Sequence, residues 1–387
     1  VSNRELFIVA GEESANQYAL KIMKSFKKDE DFNDLKFSGI GFESLKEEGF
    51  DLVYDASKLS VMGAFEVLKK WKTVKQAFEI SLEHIRKNKP KAVLLIDFGG
   101  FNLRLARKIK EEGLETKVLY FISPKFWAWG PKRALKVKKY VDEMYVIHPF
   151  EVDFYKNWSV TAKFVGHPLL AELQPDYLDQ NWKRQERIIE SLDPDRKTLG
   201  VLLGSRPSEL EKHKDPFCKA TELLVKKHPD VQVVFVVPPS KSEDSYKDFL
   251  GEQPFDFTIL HDSEPMRKMA LFDLALVASG TATLQLGLLG VPMIIGYFMN
   301  PVTMFVAKIF VKGTKYVGLV NIIADEEISK EYLQGDFNPK IVSSQLSRLI
   351  EDTSWYNQKK QELLDLKAKL GEEKTYERLK SEIGHLV

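Results

Sequence analysis

Three features of the sequence predict an α/β chain of two doubly wound domains in tandem. Short β-rich runs alternate with stretches of helical spacing along most of its length. Strands joined by helix-length connections lie parallel, with helices covering both faces of the sheet. The runs form two series separated by the polar stretch 174–196, and several of them end in turns rich in Gly, Ser, Asp or Pro. In such sheets, ligands sit beyond the carboxyl ends of the strands, so those turns are the places to look for chemistry.

The first series places strands at 6–9, 52–54, 92–96, 117–121 and 144–147, with a helix of regular apolar spacing at 103–112. The second places them at 199–203, 231–237, 258–260, 274–277 and 293–296. The expected divisions are 1–172, 173–350 and a charged helical tail at 351–387, whose return to the first domain the sequence leaves open. Two such domains imply a cleft between them.

The composition limits the function classes. A length of 387 residues suits two domains, each able to bury its own core. The formal net charge of +1 gives no global field that would attract nucleic acid. Cys218, the single cysteine, excludes an internal disulfide and a cysteine zinc cluster, and a reduced cytoplasmic setting fits. The apolar run at 6–10 is too short for a secretory leader. Residues 274–307 carry no charge, but the turns Ser279-Gly280, Gly290-Val291-Pro292 and Asn300-Pro301 cut this stretch into strand, helix and strand rather than a membrane span. The histidines are scattered without metal-ligand spacing, so no metal and no cofactor are expected.

The first turn, Gly11-Glu12-Glu13-Ser14, can aim free helix N–H groups at a ligand, or simply turn the chain. It lacks the Gly-x-Gly-x-x-Gly spacing of a dinucleotide site. Asp97 ends the run 92–96 and could take a proton from a substrate hydroxyl, or cap the helix that follows. The loop Ser123-Pro124-Lys125-Phe126-Trp127-Ala128-Trp129-Gly130-Pro131-Lys132-Arg133 can offer apolar walls and fixed positive charge to an amphiphilic anion, or plug the sheet. Gly204-Ser205-Arg206 and Ser279-Gly280-Thr281 each join a strand to a helix and suit a diphosphate, or, at Ser279, simply cap the helix. The amides and helix dipole serve both loops, and Arg206 adds a bidentate fork. Ala64, Val67, Leu68, Trp71, Val74, Phe78, Leu82 and Ile85 form a helical stripe with Lys69, Lys70, Lys72 and Lys75 on other faces, suiting an anionic membrane surface or the core. Met304, Phe305, Ile309 and Phe310 with Lys308 and Lys312 repeat that theme.

Taken together these segments resemble the lipid-A-disaccharide synthases, inverting enzymes of the glycosyltransferase-B type with two Rossmann-like domains. The resemblance spans nearly the whole chain. It rests on Val9-Ala10-Gly11-Glu12 with Ser14, Val61-Met62-Gly63 with Glu66-Val67-Leu68, Ile96-Asp97 with Phe101-Asn102, and Ser123-Pro124 with Trp127-Ala128-Trp129. It continues through Lys132-Arg133, Phe150-Glu151, Gly166-His167, Gly204-Ser205-Arg206, Ala278-Ser279-Gly280-Thr281-Ala282 and Asn321.

The resemblance implies transfer of 2,3-diacylglucosamine from its UDP derivative to the 6-hydroxyl of 2,3-diacylglucosamine 1-phosphate. Asp97 would be the catalytic base. Gly204, Ser205, Arg206, Ser279, Gly280, Thr281, Gln285 and Asn321 would bind the donor. Gly11, Glu12, Ser14, Asn16, Ser123, Trp127, Trp129, Lys132 and Arg133 would form the acceptor side. Val61, Met62, Val67, Leu68 and Trp71 would face the cytoplasmic membrane, with the protein peripheral on its inner face and an oligomer left open.

Four positions depart from the family pattern. Asn16 stands for an aspartate after Ser14-Ala15, Gly100 for an acid, Leu203 for a proline, and Gln285 for a ribose-binding glutamate. They keep two other readings open: a non-catalytic relative that binds UDP-sugar or lipid, and a UDP-sugar transferase with another acceptor.

Overall fold

The computed structural model describes residues 4–59, 67–128, 130–238, 241–261, 264–298 and 315–387, with 67–71 as helical backbone only. The chain forms two compact units, Val1–Pro168 with Gly371–Val387, and Leu169–Leu370.

The first unit runs β1 (Glu5–Ala10), α1 (Glu13–Lys27), β2 (Lys36–Gly41), β3 (Asp51–Asp55), α2 (Val67–Asn88), β4 (Ala92–Ile96), α3 (Gly99–Glu111), β5 (Lys117–Phe121), α4 (Ala134–Tyr140), β6 (Glu143–Val146), α5 (Pro149–Lys156) and β7 (Ala162–Phe164). Its seven strands pair in parallel in the order β3-β2-β1-β4-β5-β6-β7. β1 and β4 are buried on both faces, so their sequences are continuous apolar runs rather than alternating ones. The strand period sends Phe7, Val9, Val93, Leu95, Val118 and Tyr120 into one core with Leu82 and Ile85 of α2, Leu105 and Ile109 of α3, and Val137 of α4. β2 escapes the usual strand signals because of its glycines. Gly39 has a φ of +138°, and a Cβ there would meet the Ile8 carbonyl oxygen at 2.0 Å.

The second unit contains α6 (Gln180–Ile189), β8 (Thr198–Leu202), α7 (Pro207–Lys227), β9 (Gln232–Val236), α8 (Glu243–Leu250), β10 (Phe257–Leu260), α9 (Pro265–Met269), β11 (Leu274–Ala278), α10 (Thr281–Leu288), β12 (Met293–Tyr297), α11 (Leu319–Ala324), β13 (Glu331–Leu333), α12 (Pro339–Glu351), α13 (Thr353–Leu364) and α14 (Leu366–Lys369). Its parallel sheet has the order β10-β9-β8-β11-β12-β13. α6 is fixed to the amino end of β11 by Asp273, which accepts from Lys183 at 3.0 Å and from Arg187 at 2.7 Å. The described part of the uncharged stretch is β11, α10 and β12, and no helix among the described residues is long and apolar enough to cross a membrane.

The tail returns to the first unit as α15 (Thr375–Gly384). It packs on α1, with Ser25 Oγ donating to the Tyr376 carbonyl at 3.3 Å and Lys380 pairing with Asp29 at 2.7 Å. Glu382 pairs with Lys163 at 2.8 Å.

Candidate active site

In each sheet the strand order reverses at one place, between β1 and β4 in the first unit and between β8 and β11 in the second. Chains leaving two neighbouring strands in opposite directions open a crevice at their carboxyl ends, where ligands bind in open α/β sheets. Gly11, Glu12 and Asp97 leave the first pair; Gly204-Ser205-Arg206 and Ser279-Gly280-Thr281 leave the second.

The backbone around Asp97 is strained. Asp97 and Phe98 both have left-handed φ values, 44° and 45°, a conformation that is costly for residues bearing a Cβ. Neighbouring groups hold the turn in place. Asn102 donates its amide to the Ile96 and Asp97 carbonyls at 3.2 and 2.8 Å, and the buried Tyr120 hydroxyl donates to the same Asp97 carbonyl. The Phe98 ring lies over Gly11 so closely that a Cβ there would be 2.7 Å from Cδ1, which is why the first turn carries glycine. The side chain of Asp97 is half-buried. Burial first, and then the nearby Glu12 carboxylate, push its pKa up to about 6, against the opposing pull of Lys125 and the Phe98 N–H. A carboxylate with such a value is deprotonated at neutral pH yet basic enough to accept a proton.

Beyond β5 the chain turns through Ile122, at φ 65°, into the aromatic loop. Trp127 is half-buried, its ring edge-on to Phe150 with centroids 5.0 Å apart, and Phe150 stacks on His148 at 5.3 Å. Beneath lies Glu151, 1% exposed, accepting from the His148 N–H at 3.1 Å. Burial pushes its pKa up to about 8, so the acid is largely protonated at neutral pH. Burial also holds His148 well below its ordinary value and His167 down at about 3. Ser123 reaches the Tyr155 hydroxyl at 2.7 Å in the same cluster. Lys132 and Arg133 are exposed, Arg133 lying 5.9 Å from the Phe126 ring centroid. Ser14 is exposed in the first turn of α1.

Asn16 does not join this group. It is fully buried, its amide donating to Ser44 Oγ at 2.9 Å and accepting from the Phe42 N–H at 3.0 Å, and so ties α1 to the turn after β2. Gly100 is exposed, with open space where a Cβ would point.

In the second unit the Ser205 and Arg206 N–H groups both point at Glu209 Oε2, at 3.2 and 3.3 Å, and Arg206 pairs with Oε1 at 3.1 Å. Glu209 therefore fills the anion-binding position of its own loop, and the Arg206 side chain stays 77% exposed. Ser279 Oγ donates to the Val317 carbonyl at 2.9 Å. Thr281 is exposed and Gln285 half-buried. Asn321 is fully buried and committed to the protein: its amide nitrogen donates to Ser329 O and Glu331 Oε1, and its oxygen accepts from Ser329 N. Glu331 also accepts from the Val317 and Gly318 N–H groups at 2.9 and 2.8 Å. Sequence reasoning missed Glu209 and Glu331 altogether. The Glu three residues after Arg206, ahead of an apolar helix, is a capping signal that could have found the first; nothing local marks the second.

Val61, Met62 and Trp129 lie outside the described residues, as do Met304, Phe305, Lys308, Ile309, Phe310 and Lys312; Val67, Leu68 and Trp71 are described only as backbone. Further along α2, Leu82 and Ile85 are buried and Val74 and Phe78 pack half-buried against the core. No group of three or more His, Cys, Asp or Glu among the described residues is placed to hold a metal.

The lipid-A-disaccharide synthetase family matches residues 6–385. The chain belongs to that family. A lipid-A-disaccharide synthase of Persephonella marina is 33% identical, over 95% of both chains. One of Geobacter sulfurreducens is 32% identical, over 96% of this chain and 94% of its own. Two solved structures share the fold. A UDP-GlcNAc 2-epimerase from Neisseria meningitidis bound to UDP-GlcNAc has a TM-score of 0.66 at 11% identity, over 98% of this chain and 99% of its own. The calicheamicin glycosyltransferase CalG4 has a TM-score of 0.57 at 14% identity over the full length of both. Family membership over almost the entire chain makes this protein a glycosyltransferase, and a purely non-catalytic role is not favoured.

Proposed function

We propose that the chain transfers 2,3-diacylglucosamine from UDP-2,3-diacylglucosamine to the 6-hydroxyl of 2,3-diacylglucosamine 1-phosphate, releasing UDP and a β-1,6-linked disaccharide 1-phosphate. The observation that carries this reading is the placement of Asp97 at the switch point of its sheet, in a strained turn, with a pKa pushed up to about 6. Asp97 takes the proton of the acceptor hydroxyl as its oxygen attacks the anomeric carbon. The bond from that carbon to the diphosphate breaks, its electron pair leaves with UDP, and the configuration inverts.

The second unit binds the donor. The amino end of α10 and the fork of Arg206 take up the negative charge that develops on the leaving diphosphate. Releasing Arg206 from its exposed pair with Glu209 costs about 0–1 kcal/mol, little against a charge-assisted bond to phosphate. Gln285 hydrogen-bonds the ribose. Asn321 acts through Glu331, which fixes the 317–318 backbone against Ser279. On the first unit, Gly11, Glu12, Ser14, Ser123, Trp127, Trp129, Lys132 and Arg133 surround the acceptor. The acyl chains of both substrates call for attachment to the inner face of the cytoplasmic membrane, through Val61, Met62, Val67, Leu68 and Trp71.

Two of the departures from the family pattern, Asn16 and Gly100, are compatible with activity. An aspartate at position 16 could accept from both Ser44 and Phe42, and Asn16 keeps that cross-link. At Gly100 a Cβ would meet only open space, so the fold itself requires no side chain there. Incubating the purified chain with both lipid substrates should give disaccharide 1-phosphate above a no-enzyme control. UDP binding without any lipid product would instead support the non-catalytic reading.

A further inference from the structure

Between Thr116 and Val141 the chain has no acidic residue but carries Lys117, Lys125, Lys132, Arg133, Lys136, Lys138 and Lys139, in a protein whose formal net charge is only +1. The excess gathers on one short element. α4 buries Ala134, Val137 and Tyr140 and exposes Leu135, Lys136, Lys138 and Lys139, while the turn before it exposes Lys132 and Arg133. Leu135, 51% exposed, sits at the middle of the charged face.

Neighbouring cations are differently served. On α3, Arg107 pairs with Glu111, Lys108 with Glu112 and Lys110 with Asp142, and Lys163 of β7 pairs with Glu143. Lys132, Arg133, Lys136, Lys138 and Lys139 have no salt bridge among the described residues; two of them lie over rings, Arg133 over Phe126 and Lys139 over Tyr140.

We infer that the exposed face of α4, with Leu135, Lys136, Lys138 and Lys139, is a docking surface for an anionic lipid bilayer. The inference rests on the peripheral attachment proposed above and names a second surface for it. The cations splay along an outward-facing helix of about 10 Å rather than converging on a point. That arrangement fits an extended sheet of negative headgroups better than one small anion. An exposed leucine among lysines adds an apolar contact at the depth of the headgroup–acyl boundary. α2, α3 and α4 also pack in one helix layer on the same face of the first sheet, so α4 and α2 belong to one side of this unit.

The test uses the full chain and flotation with vesicles of phosphatidylcholine containing about one-third phosphatidylglycerol. Each surface lysine is worth about a factor of five in partitioning, so Lys136→Glu, Lys138→Glu and Lys139→Glu together should weaken binding by at least ~10²-fold. Leu135→Ser alone should weaken it by a few-fold, and added salt should do the same to the wild type. Turnover in neutral detergent micelles should not change in the triple variant. Wild-type-like flotation of a folded triple variant, with Val67→Ser, Leu68→Ser and Trp71→Ser releasing the protein, overturns the α4 surface and leaves peripheral attachment standing. A wild type that does not float on anionic vesicles removes both. Lost turnover in neutral micelles, with circular dichroism unchanged, would mean that the face serves the acceptor phosphate rather than a bilayer.

Discussion

Replacing Asp97 by asparagine should make the enzyme slower and the protein more stable at the same time. The structure gives both signs. Asp97 titrates at about 6 against an ordinary 3.8, because folding half-buries it and sets Glu12 nearby. The folded state therefore holds the proton more tightly than the unfolded chain. The contribution of Asp97 to stability falls as pH rises from about 4 to about 6 and is flat above that range. At pH 7.5 the ionised side chain costs at most about 3 kcal/mol, part of it screened by solvent.

An asparagine keeps the shape and the acceptor oxygen without the charge. The variant should melt several degrees above wild type at pH 7.5, and the gap should close near pH 4. Turnover should drop by at least ~100-fold with UDP binding retained, and wild-type kcat/KM should fall tenfold per unit below pH 6. The assays are thermal unfolding at the two pH values and initial rates across pH 5–8. Unchanged turnover, or a variant that melts below wild type at pH 7.5, would refute the reasoning.

Other expectations follow from the same geometry. Glu12→Gln removes a neighbour that raises the Asp97 pKa and should move the acid limb of kcat/KM to lower pH; Lys125→Met should move it higher. Glu151→Ala leaves the buried His148 N–H without its acceptor and should cost about 1–3 kcal/mol in thermal or urea unfolding, whereas Glu151→Gln should stay near wild type below pH 8, where the acid is itself largely neutral. Asn321→Ala breaks three buried hydrogen bonds and releases Glu331, so stability should fall by at least ~2 kcal/mol and UDP affinity with it, measured by unfolding and calorimetry.

Central strands were the most legible part of the fold. β1, β4, β5, β8 and β11 are buried on both faces, so burial alone writes them as apolar runs. β2 was not readable, because Gly39 and Gly41 make it look like a turn, and its close approach to Ile8 is visible only once the sheet exists. β7 and β13 are three-residue edge strands, half-buried, too short to leave a period.

The candidate site was legible at its loops and less so at its supports. Asp97, Gly11, Arg206 and Ser279 stand at strand ends, a position that follows from order along the chain. The partners that hold them come from other elements: Tyr120 bonds the Asp97 carbonyl from β5, and Glu331 reaches the 317–318 amides from β13. Pairing across a sheet depends on register, which local sequence does not contain. Asn16 and Asn321 show the converse, since a polar residue beside a ligand loop can be spent wholly on bonds within the protein.

The central claim is an inverting transfer in which Asp97 activates the acceptor hydroxyl. Its most direct test is the anomeric configuration of the new glycosidic bond, read from the proton coupling of the disaccharide made by the purified chain from UDP-2,3-diacylglucosamine. A β linkage, formed with one UDP per disaccharide and abolished by Asp97→Asn, is the predicted result. An α linkage, or a β-linked product made equally fast by the variant, would contradict it.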